Sequence, residues 1–319
     1  MAVSGNSIAL LMPGQGSQFV GMGRELSESR ARAAEVFEQA NEILGVDLRA
    51  ICWEGPEDEL TRTENAQPAI LLHSYAVWVC LPEEVRERVT IGAGHSLGEF
   101  SAYLAAGALT FEDAIRLVRR RGELMANAGT LRRGTMAAVI GLDPEAVRSV
   151  CESVDDGIVV PANYNAPGQI VISGDVEAVG VARERALEAG AKRAVPLNVS
   201  GAFHSPLMEE AREGLALSLE GVQVHEARFP VVANAAAVPV TDPVRTRELL
   251  IEQLTSPVRW VECVEAMSTT RPDTWIEVGP SKVLTGLMRR IDRAADVRAI
   301  GGPDELDAVQ ALAEESDDA

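Results

Sequence analysis

The sequence predicts an α/β protein in which a large parallel-sheet domain is interrupted by a smaller inserted one. Three observations carry this. Short apolar runs bounded by Gly, Pro and Asn alternate with helical patterns over most of the 319 residues. Several of these runs lead directly into helix starts, as βα units do. One internal segment instead orders its strands and helices βαββαβ. A chain of this length accommodates one large domain with an insertion, or two ordinary domains.

The run Ile8-Ala9-Leu10-Leu11-Met12 reads as the first strand. The residues before it, Met1-Ala2-Val3-Ser4-Gly5-Asn6, hold no basic cluster, so the run is not the apolar centre of a signal peptide and a cytoplasmic location is expected. Val89-Thr90-Ile91-Gly92-Ala93 reads as a strand that enters a helix through Gly94-His95-Ser96-Leu97-Gly98. A long helix starts near Thr110. The βαββαβ segment follows: strand 135–142, helix 143–153 opening Asp-Pro, strands 158–163 and 169–173, helix 175–191, and strand 193–199. This is the ferredoxin-like order, so residues 132–199 are expected to form the small domain, with 1–131 and 200–319 forming the large one. Trp275-Ile276-Glu277-Val278 reads as a late strand that passes through Gly279-Pro280 into a helix, with Ser281 placed to cap it. The closing run Glu314-Glu315-Ser316-Asp317-Asp318-Ala319 is acidic and reads as a frayed end.

Composition narrows the function classes. No apolar run approaches the roughly 20 residues that cross a bilayer. A net charge of −19 argues against a nucleic-acid partner, which would need a basic face. Cys52, Cys80, Cys151 and Cys263 are scattered, with no Cys-x-x-Cys and no His at metal-site spacing, so reduced thiols and no metal are expected.

Gly94-His95-Ser96-Leu97-Gly98 has the Gly-x-Ser-x-Gly pattern between a strand and a helix. There, small flanking residues permit a strained turn that lifts the serine hydroxyl above the sheet. The alternative is a glycine-rich turn whose serine only caps the helix. At such a helix start the Leu97 N–H is free to donate to an oxyanion. A nucleophilic serine needs a base, and four histidines are available. His73 lies in an apolar helix and reads as packed, and His225 lies in a polar stretch and reads as surface. His95 adjoins Ser96 on the turn, so it reads as a wall of the pocket. His204, before a Ser-Pro helix start and just after the last strand of the insert, is the candidate base. No acid stands where a third triad member would be expected, because Asp155, Asp156 and Asp175 fall in the insert. A Ser-His dyad oriented by something other than a carboxylate follows.

In the helix from Thr110, helical spacing places Arg121 in the apolar stripe with Ala114, Leu117, Val118, Leu124 and Met125, while Arg119 and Arg120 fall outside it. A buried guanidinium requires an anion. That anion is either a structural Glu or a ligand carboxylate held by the planar fork.

Several motifs now converge: Pro13-Gly14-Gln15-Gly16-Ser17-Gln18, Gly94-His95-Ser96-Leu97-Gly98-Glu99, Asn163-Tyr164-Asn165-Ala166-Pro167-Gly168-Gln169, Ser200-Gly201-Ala202-Phe203-His204-Ser205, Gln253-Leu254-Thr255-Ser256-Pro257-Val258 and Glu277-Val278-Gly279-Pro280. Together, over about residues 7–300, they resemble the malonyl-CoA:acyl carrier protein transacylase family, including the discrete acyltransferases of polyketide synthesis. The resemblance implies a hydrolase-like α/β domain carrying a ferredoxin-like insertion. It implies Ser96 as nucleophile, His204 as base, Gln15 and Leu97 as oxyanion-hole N–H donors, Arg121 as anchor of the malonyl carboxylate, and the Gln253 carbonyl as the group that orients His204. Phe203 before the histidine implies malonyl over branched extender units, unless it is only a packing residue. The substrate would be malonyl-CoA, the acceptor a phosphopantetheinylated acyl carrier protein, no cofactor would be bound, and a monomer is expected. Loading of another extender unit, or hydrolysis of stalled acyl groups from carriers, are the alternatives; Arg121 disfavours the hydrolase.

Overall fold

The computed structural model describes residues 7–309; the acidic run 314–319 lies outside them. The chain begins with β1 (Ile8–Met12) and, after a set of helices, β2 (Val89–Gly94). It then leaves for a second sheet made of β3 (Gly134–Ile140), β4 (Val159–Ala166), β5 (Gln169–Asp175) and β6 (Arg193–Pro196). It returns to the first sheet with β7 (Val231–Ala233), β8 (Val238–Val240), β9 (Thr274–Val278) and β10 (Val297–Ile300).

The large sheet has the order β10-β9-β1-β2-β7-β8. Its neighbours run parallel except at one edge, where β8 folds back antiparallel on β7. The sheet is thus parallel, as expected, except for this one edge strand. β8 is an edge strand of three residues with Pro239 at its centre, and only an edge tolerates the missing N–H. Central β1 is buried throughout, as a strand covered on both faces must be. Ile8, Leu10 and Met12 pack into the cluster containing Leu71, Phe100 and Leu117. Ala9 and Leu11 pack on the opposite face with Trp260, Met267 and Met288. The period-2 alternation of one strand thus serves two helix layers.

The small sheet has the order β4-β5-β3-β6, all antiparallel, with the Pro144–Glu152 and Val176–Glu188 helices supplying its separate core. Asp143 caps the first of these helices by accepting from the Ala146 N–H. β6 stops at Pro196, short of the expected 199, and Asn198 and Val199 instead line the cleft described below. β4 is tied to the large domain through the segment just before the Trp260–Ser268 helix: the Tyr164 N–H donates to the Val258 carbonyl at 2.9 Å, and the Val258 N–H to the Ala162 carbonyl at 2.8 Å.

The helix after β9 differs from expectation. It spans Val283–Ile291, and the Ser281 hydroxyl is buried without a partner. The cap comes from the strand: the Glu277 carboxylate accepts from the N–H groups of Leu284 (2.9 Å) and Thr285 (2.6 Å). Among the described residues, no helix is long and apolar enough to cross a membrane.

Candidate active site

β2 ends in the tight turn that the sequence suggested. Gly94 and Gly98 are required there by contact. A Cβ on Gly94 would lie 1.9 Å from the Gly98 carbonyl, and one on Gly98 would lie 2.1 Å from the Met12 carbonyl. We expect Gly94→Ala to lower stability by about 3 kcal/mol or more; a thermal melt within 2 °C or so of the parent would show that the turn can relax. Between them Ser96 sits at φ 53°, a left-handed conformation that a non-glycine residue adopts only under constraint.

The constraint is visible. Asn234, just after β7, accepts from the Ser96 N–H at 2.7 Å and donates through Nδ2 to the Gly94 carbonyl at 2.8 Å. Its side chain thus binds the backbone on both sides of the strained residue. The Ser96 N–H is thereby engaged, whereas the N–H of Leu97, ahead of the Gly98–Ala105 helix, has no acceptor among the described residues. The Gln15 N–H, in the loop after β1, likewise has none. Both residues line the same cavity as Ser96, and that loop is pressed onto the turn: a Cβ on Gly14 would lie 2.3 Å from the His95 carbonyl. The Gln15 side chain reaches Thr63 at 3.5 Å, and Thr63 meets Ser200 at 2.9 Å.

His204 arrives from the junction after β6, also in a left-handed conformation at φ 56°. Its Nε2 lies 2.7 Å from the Ser96 hydroxyl. Its Nδ1 lies 2.9 Å from the Gln253 carbonyl and 3.2 Å from that of Ser256. Carbonyls only accept, so Nδ1 carries the proton and the Nε2 lone pair faces Ser96. Burial, then the positive Arg121, push this imidazole down to about 3. It is therefore neutral at pH 7.

Arg121 lies on the Phe111–Leu131 helix and is only 1% exposed. Its Nη1 donates to Gln67 Oε1 at 2.7 Å, and its Nη2 to Gln253 Oε1 at 2.8 Å and to the Ser96 hydroxyl at 3.1 Å. All three acceptors are neutral. Desolvation lowers the guanidinium to about 10, so it stays charged at neutral pH.

His95 points away from the hydroxyl. Its Nε2 meets Asn165 Oδ1 at 2.7 Å, and its ring rests 5.4 Å from Trp260, on the cavity wall. Phe203 is buried beside His204 and lines the same space. His73 is buried in the Thr63–Cys80 helix, where desolvation holds it down to about 4, and His225 is exposed; neither reaches Ser96.

The structure therefore brings Ser96, His204, Arg121, Gln253, Gln15, Leu97, His95 and Phe203 to one cavity of about 310 Å³ or directly behind it. The cavity shares Gln15, Gly16, Gln18, Thr61, Asn198 and Val199 with a larger cleft of about 780 Å³. A long, narrow substrate can thus reach the hydroxyl from outside. Sequence reasoning missed Asn234, Gln67 and the role of Glu99. A lone Asn beyond a three-residue strand and a Gln within an apolar helix carry no spacing signal. Glu99 stood inside a quoted motif without a task.

A strained serine at a strand-to-helix turn, paired with a neutral histidine and backed by an insertion domain, marks an acyl-transferring enzyme. The chain belongs to the acyl transferase family: the family model described as acyl transferase domain matches residues 10–302. It is 46% identical over 319 residues to the malonyl CoA-acyl carrier protein transacylase of Bacillus subtilis, covering 98% of this chain and 100% of that one. The acyl carrier protein S-malonyltransferase of Vibrio cholerae superposes with a TM-score of 0.89 at 44% identity, covering 95% of this chain and 99% of that one. A malonyl-transacylase solved in complex with its type II PKS acyl-carrier protein superposes with a TM-score of 0.93 at 40% identity, covering 96% of this chain and 99% of that one.

Proposed function

We propose that this chain moves a malonyl group from coenzyme A to the phosphopantetheine thiol of an acyl carrier protein through an ester on Ser96. The observation that carries the malonyl assignment is Arg121: a buried guanidinium beside the nucleophile whose hydrogen bonds all go to neutral oxygens. A cation in such a place is matched by an incoming carboxylate.

His204 Nε2 takes the Ser96 proton as Oγ attacks the thioester carbon. The tetrahedral oxyanion then accepts from the N–H groups of Leu97 and Gln15. As the C–S bond breaks, His204 returns the proton to the departing sulfur, giving free coenzyme A and malonyl-Ser96. The carrier thiol then gives its proton to His204, attacks the ester carbonyl, and the proton passes back to Ser96. Arg121 holds the carboxylate throughout, fixing the carbonyl against the hole. The Gln253 carbonyl keeps the histidine tautomer, and His95 with Asn165 shapes the wall. Phe203, on the cavity wall beside His204, would crowd a branch at the α-carbon, which favours malonyl.

The test is intact mass after a brief incubation with a panel of acyl-CoA thioesters and an acid quench. Malonyl-CoA is expected to add one malonyl mass, mapped to Ser96, and methylmalonyl-CoA far less. An unchanged mass with malonyl-CoA would overturn the reading.

A further inference from the structure

Glu99 is fully buried, one helical turn beyond Ser96, and has no part in the steps above. Its Oε2 accepts from the Asn234 N–H at 2.9 Å and from Gln253 Nε2 at 2.7 Å, while Oε1 has no partner. Gln253 faces Arg121 with its other end, Oε1 accepting from Nη2 at 2.8 Å. The amide therefore stands between a buried cation and a buried carboxylate, with a hydrogen bond to each. Its Nε2 also donates to the Ser96 carbonyl at 3.0 Å, and its own carbonyl orients His204. One residue thus connects the arginine, the nucleophile's backbone and Glu99 through its side chain, and the base through its backbone carbonyl.

The titratable and polar groups that bear on Glu99 come from several elements. Its own helix presents Tyr103, the Phe111–Leu131 helix Arg121, the end of β7 Asn234, the loop after the Pro243–Glu252 helix Gln253, and the Trp260–Ser268 helix Cys263. Burial raises both the Tyr103 phenol and the Cys263 thiol, so both are neutral, and His204 beyond Gln253 is neutral too. Arg121 is the charge that Glu99 balances. A carboxylate placed on Arg121 from the cavity makes two buried anions for one cation, which low-dielectric surroundings strongly disfavour.

We propose that Glu99 is the counter-charge of Arg121 in the free enzyme, and that it takes a proton on Oε1 when a substrate carboxylate occupies the guanidinium. Glu99 is then a positioning residue whose charge is exchanged for that of the substrate. The inference rests on Arg121 being the carboxylate anchor. Desolvation, opposed by the bonds from Asn234 and Gln253 and by Arg121, already lifts Glu99 to about 7, so the exchange falls where protons are counted easily.

The experiment is isothermal titration calorimetry of the Ser96→Ala protein with malonyl-CoA and with acetyl-CoA, at pH 7 and pH 8, in buffers of different ionisation enthalpy. The two ligands share their coenzyme phosphates, so any excess proton uptake belongs to the carboxylate. Malonyl-CoA should take up about half a proton more than acetyl-CoA at pH 7, approaching one at pH 8, while its Kd weakens about fivefold more over that step. Glu99→Gln should remove both effects. Tighter binding of malonyl-CoA without excess protons would overturn the inference and leave the anchor intact, as would uptake that survives in Glu99→Gln. Equal affinity for the two ligands would overturn the anchor itself and the inference with it. Should Glu99→Gln fail to fold, the buffer comparison on Ser96→Ala alone decides.

Discussion

His204→Ala is expected to leave Ser96 unacylated after brief exposure to malonyl-CoA and to lower kcat/KM for transfer by about 10,000-fold. Among the described residues the serine hydroxyl has a single base within reach, Nε2 at 2.7 Å, and its other hydrogen-bond partner there is Arg121, which can only donate. Removing the imidazole strands the proton, and the oxyanion donors alone cannot compensate. The pH profile checks the same assignment. Burial holds His204 down to about 3, so protonation removes the base only near that pH, and kcat/KM should not fall between pH 7 and pH 5. The sign for stability follows: the folded state resists protonation there while the unfolded chain does not, so this group's contribution is full above about pH 6.5 and is lost progressively toward pH 3. Retention of transfer within tenfold or so in His204→Ala would assign the proton to another group.

Arg121→Ala should lower kcat/KM for malonyl-CoA by about 1,000-fold while changing that for acetyl-CoA far less. The guanidinium is 1% exposed and still charged, so a carboxylate meeting it is fully desolvated, and truncation would leave that carboxylate with no partner. Arg121→Lys keeps the charge but lacks the fork that meets Gln67, Gln253 and Ser96 together, and should recover only part of the loss. Equal loss for both thioesters would make Arg121 a structural residue. The ratio between them is therefore the measurement that matters.

The parts of this site that were legible in the sequence are those built from local pattern. The turn at Gly94 to Gly98 shows because its backbone leaves no room for Cβ atoms, and steric need writes itself as glycine. Arg121 shows because a charge on an apolar stripe breaks the helical period. The insert shows because βαββαβ is a sequential order. What stayed hidden depends on side chains that meet across the fold. Asn234 lies 138 residues from the Ser96 N–H that it accepts from, and nothing near it in the chain announces the contact. The antiparallel β8 and the Glu277 cap were hidden for the same reason: three residues are too few for a pattern, and a cap borrowed from a strand lies outside the helix it serves.

The carbonyls of Gln253 and Ser256 hold His204 where a carboxylate would stand in a serine protease. In the proposed mechanism, with carbonyls and not a carboxylate on Nδ1 and Arg121 in front, the imidazolium formed during attack would be a strong acid. Such a group sheds its proton at the first opportunity, and the leaving sulfur, whose thiol is about as acidic as a free cysteine near 8.5, accepts it readily. An amide carbonyl, less electrophilic than a thioester, would demand a stronger base to launch the attack. As proposed, the dyad would thus be matched to trading one thioester for another, an exchange that runs nearly level in energy and can proceed in either direction as the two thiols are supplied.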